Sequence, residues 1–336
     1  MSNKRPVSFA VIGYGHIGRR HVSIIQQHEQ CKLVAVADTV APSATELKNL
    51  RVPFLRSIGE LVKEEFDVLC VATPNGLHEF HAVQALQAGH HAVIEKPMSL
   101  TGAACQNIID TAAANGRQVF CVLQNRYSAI AQWLKNLVEG NVLGKIYMVQ
   151  VNCFWNRNEQ YYDEKPWRGS LELDGGTLFT QFSHYIDTLY WLFGEMRNMR
   201  TELRNFNHPA TQFEDSGIVS FSLEDGALGS FVFTTAVWDS TYESTLTIIA
   251  QNGYVKVGGQ YMDRVIDCVL KDNVQPPNAV NSADKLHNHR LFLDDVIAHV
   301  RNGLGMGSNA GDGMKLVEMI EQMYSVAKTN SQVISK

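Results

Sequence analysis

Residues 7–18 read VSFAVIGYGHIG. The first six, a short apolar run, suit a buried β-strand. Gly13, Gly15 and Gly18 follow in the spacing G-x-G-x-x-G. Next comes an amphipathic stretch, RRHVSIIQQH, with Val22 and Ile25 on one face, and then a second apolar strand, LVAVAD, that ends at Asp38. Strand, glycine loop, helix, strand and acid, with the acid about 20 residues beyond the last glycine, are the parts of a dinucleotide-binding fingerprint. Each part has a physical task. Gly13 makes a tight turn, Gly15 lets a pyrophosphate approach the backbone, and Gly18 lets helix and strand pack closely. The helix start, with His16 and Ile17, offers N–H groups and a positive dipole to phosphates. Asp38 can accept hydrogen bonds from a ribose and would repel a 2′-phosphate. No arginine follows it directly. The expected cofactor is therefore NAD, with NADP disfavoured.

The alternation continues outward from this stretch. FDVLCVATP (66–74), HAVIEKP (91–97) and RQVFCVL (117–123) read as strands, and LHEFHAVQALQAG (77–89) and 99–116 as helices. Apolar strands alternating with helices predict a parallel sheet wound on both sides, with ligands beyond the carboxyl ends of its strands. Thr73, Pro74, Asn75, His78, Glu95 and Lys96 all fall at such ends and are expected around the cofactor. Lys96 is the odd residue, because a core strand has no use for a lysine at its tip and Pro97 cannot continue the ladder. It is read as catalytic, with Pro97 fixing the turn, against the plainer reading of a surface lysine paired with Glu95. Beside a substrate hydroxyl and a cationic nicotinamide, its pKa should fall from about 10.4 toward neutrality. It could then take or share a hydroxyl proton.

After about residue 124 the pattern changes. A helix is expected at 128–140, a long alternating strand at 145–155 and a helix at 177–193. Hairpins are expected at Asp225-Gly226 and Asn252-Gly253, and helices at 284–302 and 313–328. The chain is therefore expected to be α/β, with a doubly wound dinucleotide-binding domain over 1–124. An α+β domain over 125–336, with an open-faced, largely antiparallel sheet, would serve substrate binding and oligomerisation.

Bulk properties exclude several classes. The chain has 336 residues, 45% hydrophobic and 19% charged, with a formal net charge of −5 and no basic block. That argues against nucleic acid or an anionic membrane as partner. The start MSNKRP shows no secretory pattern, and no apolar run is long enough to span a bilayer. Six scattered cysteines without a C-x-x-C pair suit free thiols in the cytoplasm rather than disulfides or a metal site. His287 and His289 are read as surface residues, not ligands.

Four segments carry a family resemblance: GYGHIG (13–18), ATPNGLHEFHAVQALQAGHHAVIEKPMSLT (72–101), QNRY (124–127) and GGTLFTQFSHYIDTLYWLFG (175–194). Together they resemble the Gfo/Idh/MocA oxidoreductases, the glucose–fructose oxidoreductase and inositol dehydrogenase type. The resemblance implies an N-terminal Rossmann domain, a C-terminal substrate domain, and hydride transfer between a sugar or polyol carbon and NAD(P). Residues 151–194 also resemble members associated with bacterial surface-polysaccharide synthesis, the UDP-N-acetylglucosaminuronate 3-dehydrogenases among them. That narrower likeness implies a sugar-nucleotide substrate oxidised at C3. The rival readings are a dehydrogenase of a free polyol or monosaccharide, and a dinucleotide-binding protein without turnover.

The resemblance also implies that His184 reaches the reacting carbon as acid or base. Thr180 stands four residues before it, where many relatives carry Asp or Asn. Lys96 and His184 are then left to share the proton work. Thr180, His184 and Asp187 lie near one helix face by their spacing, which places Thr180 and Asp187 among the expected substrate contacts. Arg126 either meets the substrate or ties the domains together. Arg157, Tyr161, Trp167 and Arg168 mix cations and aromatics. This suits stacking on a sugar or base and pairing with a carboxylate or pyrophosphate, or equally a packed loop at a subunit contact. An open-faced sheet needs its second face covered, so a homodimer or homotetramer is expected.

Overall fold

The computed structural model describes residues 5–277, 286–303 and 310–334. By internal packing the described chain divides into two units, 5–123 with 286–303 and 310–317, and 124–277 with 318–334.

In the first unit the strands are β1 (Val7–Ile12), β2 (Cys31–Ala37), β3 (Phe54–Leu55), β4 (Val68–Val71), β5 (His91–Ile94) and β6 (Val119–Cys121). Between them run α1 (His16–Gln27), α2 (Ala44–Leu50), α3 (Ile58–Leu61), α4 (His78–Gln87) and α5 (Gly102–Ala114). The sheet order is β3-β2-β1-β4-β5-β6, all parallel. This doubly wound order reverses direction between β1 and β4, and the crevice at that switch point is where such folds bind ligands. β1 and β4 are buried along their whole length, because helices cover both faces of a parallel sheet. The G-x-G-x-x-G loop shows why its glycines are needed. Gly13 has φ +89°, and a Cβ there would lie 2.4 Å from the Ala72 carbonyl oxygen. A Cβ on Gly18 would overlap the Gly13 carbonyl, which measures how closely α1 packs on the turn.

The second unit holds α6 (Ala129–Glu139), β7 (Ile146–Phe154), α7 (Glu159–Asp163) and α8 (Ser183–Phe193). It continues with β8 (Arg197–Arg204), β9 (Ser216–Ser222), β10 (Leu228–Thr234), β11 (Glu243–Ala250), β12 (Gly253–Gly258) and β13 (Arg264–Leu270). These strands form one sheet, β13-β12-β11-β7-β10-β9-β8, antiparallel except where β7 lies parallel to β10. Both expected hairpins form, β9 with β10 and β11 with β12. One face of the sheet packs against α8. Phe182 meets Phe231, Phe233 and Trp155 at ring separations of 6.0, 5.1 and 5.0 Å. The other face leaves Tyr147, Ile218, Leu228, Ile266 and Val269 about half exposed.

Two further helices are α9 (His287–Asn302) and α10 (Ala310–Ile334), the latter passing from the first unit into the second. Of the helix expected over 284–302, residues 284 and 285 lie outside the described residues. α9 was expected in the second domain but packs in the first unit. His28 pairs with Asp294 at 2.8 Å, and Arg301 donates to the Arg5 carbonyl and to Gln30. No local pattern in the sequence marks these long-range ties. No helix among the described residues is long and apolar enough to cross a membrane. No group of metal-ligating side chains occurs among them either.

Candidate functional site

In the first unit, four strand ends, those of β2, β1, β4 and β5, lie side by side at the crevice. After β1, helix α1 begins at Gly15 with no side-chain cap and no acid in its first turn. The first N–H groups of a helix make no intrahelical bond, and a helix start without a competing acid suits a phosphate. Open space surrounds the position where a Cβ of Gly15 would lie. His16 is exposed and Ile17 half-buried at this helix start. After β2, Asp38 is half-buried and held by backbone. Its Oδ2 accepts from the Tyr14 N–H at 2.6 Å and its Oδ1 from the Val40 N–H at 2.8 Å. Oδ1 also accepts from Thr39 Oγ1 at 3.4 Å, and Oδ2 keeps a lone pair for a ribose hydroxyl. These features fit a dinucleotide with an unphosphorylated ribose.

After β4, Thr73 and Pro74 are half-buried and Asn75 is buried. His78 was expected along the nicotinamide ribose, but it is 1% exposed and faces two backbone carbonyls. Its Nδ1 lies 2.8 Å from Pro97 O and its Nε2 2.9 Å from Thr73 O. Burial lowers its pKa, and a neutral imidazole donates through only one nitrogen. His78 thus ties the β4 loop to the β5 loop. After β5, Lys96 is half-buried and the Lys96–Pro97 peptide is cis. Glu95 was expected among the cofactor contacts. Instead it is buried and accepts a hydrogen bond from His21 Nε2 at 2.8 Å. Glu95 and Lys96 both lie just past the end of β5.

In the second unit, helix 177–193 contains a feature its sequence did not announce, a π turn over Leu178–Phe182 just before His184. Such turns add a residue and re-aim the side chains that follow. Thr180, His184 and Asp187 therefore do not act as one stripe. Thr180 Oγ1 donates to Asp174, His184 Nε2 lies 3.1 Å from Gln124 Nε2, and Asp187 pairs with Arg126. With Gln124 donating, the His184 proton sits on Nδ1, an assignment that rests on this network. Gln124 belongs to QNRY, yet nothing in the sequence links it to residue 184.

Arg126 and Asp187 were both expected to touch substrate. They are 7% and 1% exposed and spend their charges on each other. Nη2 donates to Oδ1 at 2.6 Å, and Nε to Oδ1 and Oδ2 at 3.2 and 3.1 Å. The guanidinium also lies over Trp191.

The cation–aromatic segment assembles around one ring. Arg157 and Arg168 lie 5.1 and 4.0 Å from the centre of Tyr161, with Arg157 also over Trp155 and Arg168 near Trp167. Arg168 pairs with Glu164. Arg157 donates to Gln181 Oε1 at 2.8 Å and to the Asn156 carbonyl at 2.7 Å. Among the described residues no carboxylate pairs with it. Burial lowers the Arg157 pKa and raises that of Tyr161. His208 supports the backbone here, its Nε2 2.5 Å from Arg157 O and its Nδ1 3.2 Å from Asp215.

A buried acid sits at the start of the same helix. Glu214 accepts from Tyr324 Oη at 2.7 Å and from the Thr177 N–H at 3.1 Å. Gly176 is required there, since a Cβ at its φ of +129° would strike Tyr324 Oη. Burial pushes the Glu214 carboxyl up to about 7, against the lowering effect of these hydrogen bonds. The folded state therefore holds this proton where the unfolded chain releases it. Stability from this group is complete below about pH 4.5 and is lost as pH rises through about 7. The loss amounts to about 3 kcal/mol, at ~1.4 kcal/mol per pH unit. Glu214→Gln should flatten this fall in urea titrations at pH 5 to 8. An unchanged slope would place the proton elsewhere.

A doubly wound parallel sheet with a glycine loop, an acid-tipped second strand and an attached mixed sheet defines an NAD-binding oxidoreductase. Comparison with known proteins agrees. Residues 7–122 match the oxidoreductase family model with an NAD-binding Rossmann fold, and residues 131–256 match the GFO/IDH/MocA C-terminal domain. The WlbA dehydrogenase of Bordetella pertussis, solved with NADH and UDP-GlcNAcA, superposes with a TM-score of 0.86 at 30% identity, covering 96% of this chain and 97% of that one. Its counterpart from Chromobacterium violaceum superposes with a TM-score of 0.87, also at 30% identity, covering 98% and 95%. The glucose-6-phosphate 3-dehydrogenase of Bacillus subtilis is 29% identical over 347 residues, covering 97% of each chain. The chain belongs to the Gfo/Idh/MocA oxidoreductase family and is an NAD-dependent sugar oxidoreductase.

Proposed function

We propose that this chain oxidises a ring hydroxyl of an anionic sugar, specifically C3 of a sugar-nucleotide uronate such as UDP-N-acetylglucosaminuronic acid. Arg157 carries this reading. It is a half-buried guanidinium, stacked between aromatic rings, with no carboxylate partner among the described residues. Such a group suits a carboxylate or diphosphate. The uronate bound to the two 30%-identical dehydrogenases supports the same class.

The proposed roles are these. Gly13, Gly15 and Gly18 with the start of α1 hold the pyrophosphate, and Asp38 holds the ribose. Bound NAD⁺ supplies a hydride acceptor. Lys96 orients the substrate hydroxyl and takes its proton. In the second unit Gln124 fixes the His184 ring, which suits an acid–base group. Thr180 orients but does not act as a base. The half-exposed apolar face of the second sheet suits coverage by a second copy, in a homodimer or homotetramer.

The test is a single-turnover scan of reduced-nicotinamide absorbance with stoichiometric protein, NAD⁺ and UDP-N-acetylglucosaminuronic acid, before and after 2-oxoglutarate. A rise supports the substrate assignment, and its erasure by 2-oxoglutarate shows that the cofactor is recycled in place. A rise with glucose 6-phosphate alone reassigns the substrate to a sugar phosphate. A rise with free inositol or glucose alone overturns the anionic reading. Arg157→Ala should raise KM for the anionic sugar by about 10–100-fold, the worth of a charged hydrogen bond. NAD affinity should stay within about twofold.

A further inference from the structure

The first unit buries a cluster of titratable groups directly behind Lys96. Glu95, on the strand-end residue before it, is 7% exposed, and its Oε1 lies 2.8 Å from His21 Nε2 on α1. Its other oxygen, Oε2, accepts from the backbone N–H of Lys96 itself at 3.3 Å. His21 is 5% exposed. The ring of His289, on α9 and 3% exposed, stands 6.2 Å from the His21 ring at 79°. Neither His289 ring nitrogen has a hydrogen-bond partner among the described residues. His289 was read from the sequence as a surface residue. Its burial follows from the packing of α9 in this unit.

A buried glutamate is expensive, and a strand end can be tied down by backbone bonds alone. Here the carboxylate bridges two elements with functional termini. One is α1, whose start cradles phosphate. The other is β5, whose end presents Lys96. We propose that His21 and Glu95 are positioning residues for Lys96: the buried pair fastens the end of β5 to the phosphate-cradling helix and sets the charge felt by the lysine ammonium. The inference rests on Lys96 being the proton acceptor.

The titratable groups around the carboxylate come from several elements: His21 on α1, Lys96 beyond β5, His289 on α9, with Arg20 of α1 acting on His289, and His78 and Cys70 near the β4 end. Burial would raise the Glu95 pKa, but the His21 hydrogen bond and nearby positive charge, that of Lys96 included, bring it below the ordinary value. Burial lowers His289 to about 4, so it is neutral at physiological pH. Glu95 is therefore an anion close to Lys96. An anion at that place favours the ammonium over the amine. Its removal should make Lys96 easier to deprotonate.

The experiment compares pH profiles of kcat/KM for the wild-type enzyme and Glu95→Gln, which keeps the shape and a hydrogen-bonding group but removes the charge. The acid limb assigned to Lys96 should move down by about one pH unit, and NAD affinity should change less than about threefold. His21→Leu should lower kcat at least tenfold by taking the side-chain donor from Glu95 Oε1. His21→Gln, which restores a donor, should recover most of it. An unmoved acid limb in Glu95→Gln, or no recovery in His21→Gln, overturns the inference. Lys96→Ala is measured in parallel. If it stays active, the catalytic assignment of Lys96 has failed. If it is inactive while Glu95→Gln keeps the wild-type profile, only the positioning role has failed.

Discussion

Lys96→Ala is expected to lower kcat/KM by about 10²–10⁴-fold, the usual contribution of a positioned acid–base group. This corresponds to roughly 3–5 kcal/mol of transition-state stabilisation. The expectation rests on placement. Lys96 is half-buried at the carboxyl end of β5, two strands from the glycine loop in the order β1-β4-β5. It lies beside a loop that His78 and Glu95 hold in position from behind. The phosphate cradle and Asp38 belong to other strand ends, so the substitution should leave NAD binding nearly unchanged. Titration calorimetry with NADH and steady-state rates on the same preparation separate the two effects. Near-wild-type turnover would remove Lys96 from the mechanism. A matching loss of NADH affinity would instead make it a cofactor contact.

Asp187→Ala is expected to destabilise the fold by about 3–5 kcal/mol, because it strands a buried guanidinium without its counter-ion. Arg126 has little access to water and uses Nε and Nη2 on the one carboxylate. Urea unfolding measures the loss. The double variant Arg126→Leu/Asp187→Leu should recover much of it, since replacing both members of a buried pair with apolar groups is often close to neutral. A loss below about 1 kcal/mol in Asp187→Ala would mean that the pair is well solvated. Both residues would then return to the substrate contacts that their place in the sequence suggested.

The two results concern different kinds of legibility. The class of the first unit was readable because its signals are local. A strand, three glycines at fixed spacing, a helix and an acid at the next strand end occupy 32 consecutive residues, 7–38. Each answers to a neighbour only a few positions away. The same holds for Lys96, whose oddity at a strand tip is visible in four letters, and for the hairpins at Asp225-Gly226 and Asn252-Gly253.

The partners of buried polar groups were not readable, because they are chosen by packing across long stretches of chain. His21 and Glu95 are 74 residues apart, Gln124 and His184 60, and Arg126 and Asp187 61. Spacing put Thr180, His184 and Asp187 on one face, assuming a regular helix. The π turn over Leu178–Phe182 broke that regularity and sent the three to different partners. Glu95 looked like a cofactor contact beside Lys96, yet it is buried against His21. His289 looked superficial until α9 docked in the first unit. The sequence by itself determined the dinucleotide fold, the family and the residues worth testing. Tertiary structure alone decided which of those residues satisfy one another, because burial leaves no polar group without a partner cheaply and local sequence does not say which partner arrives.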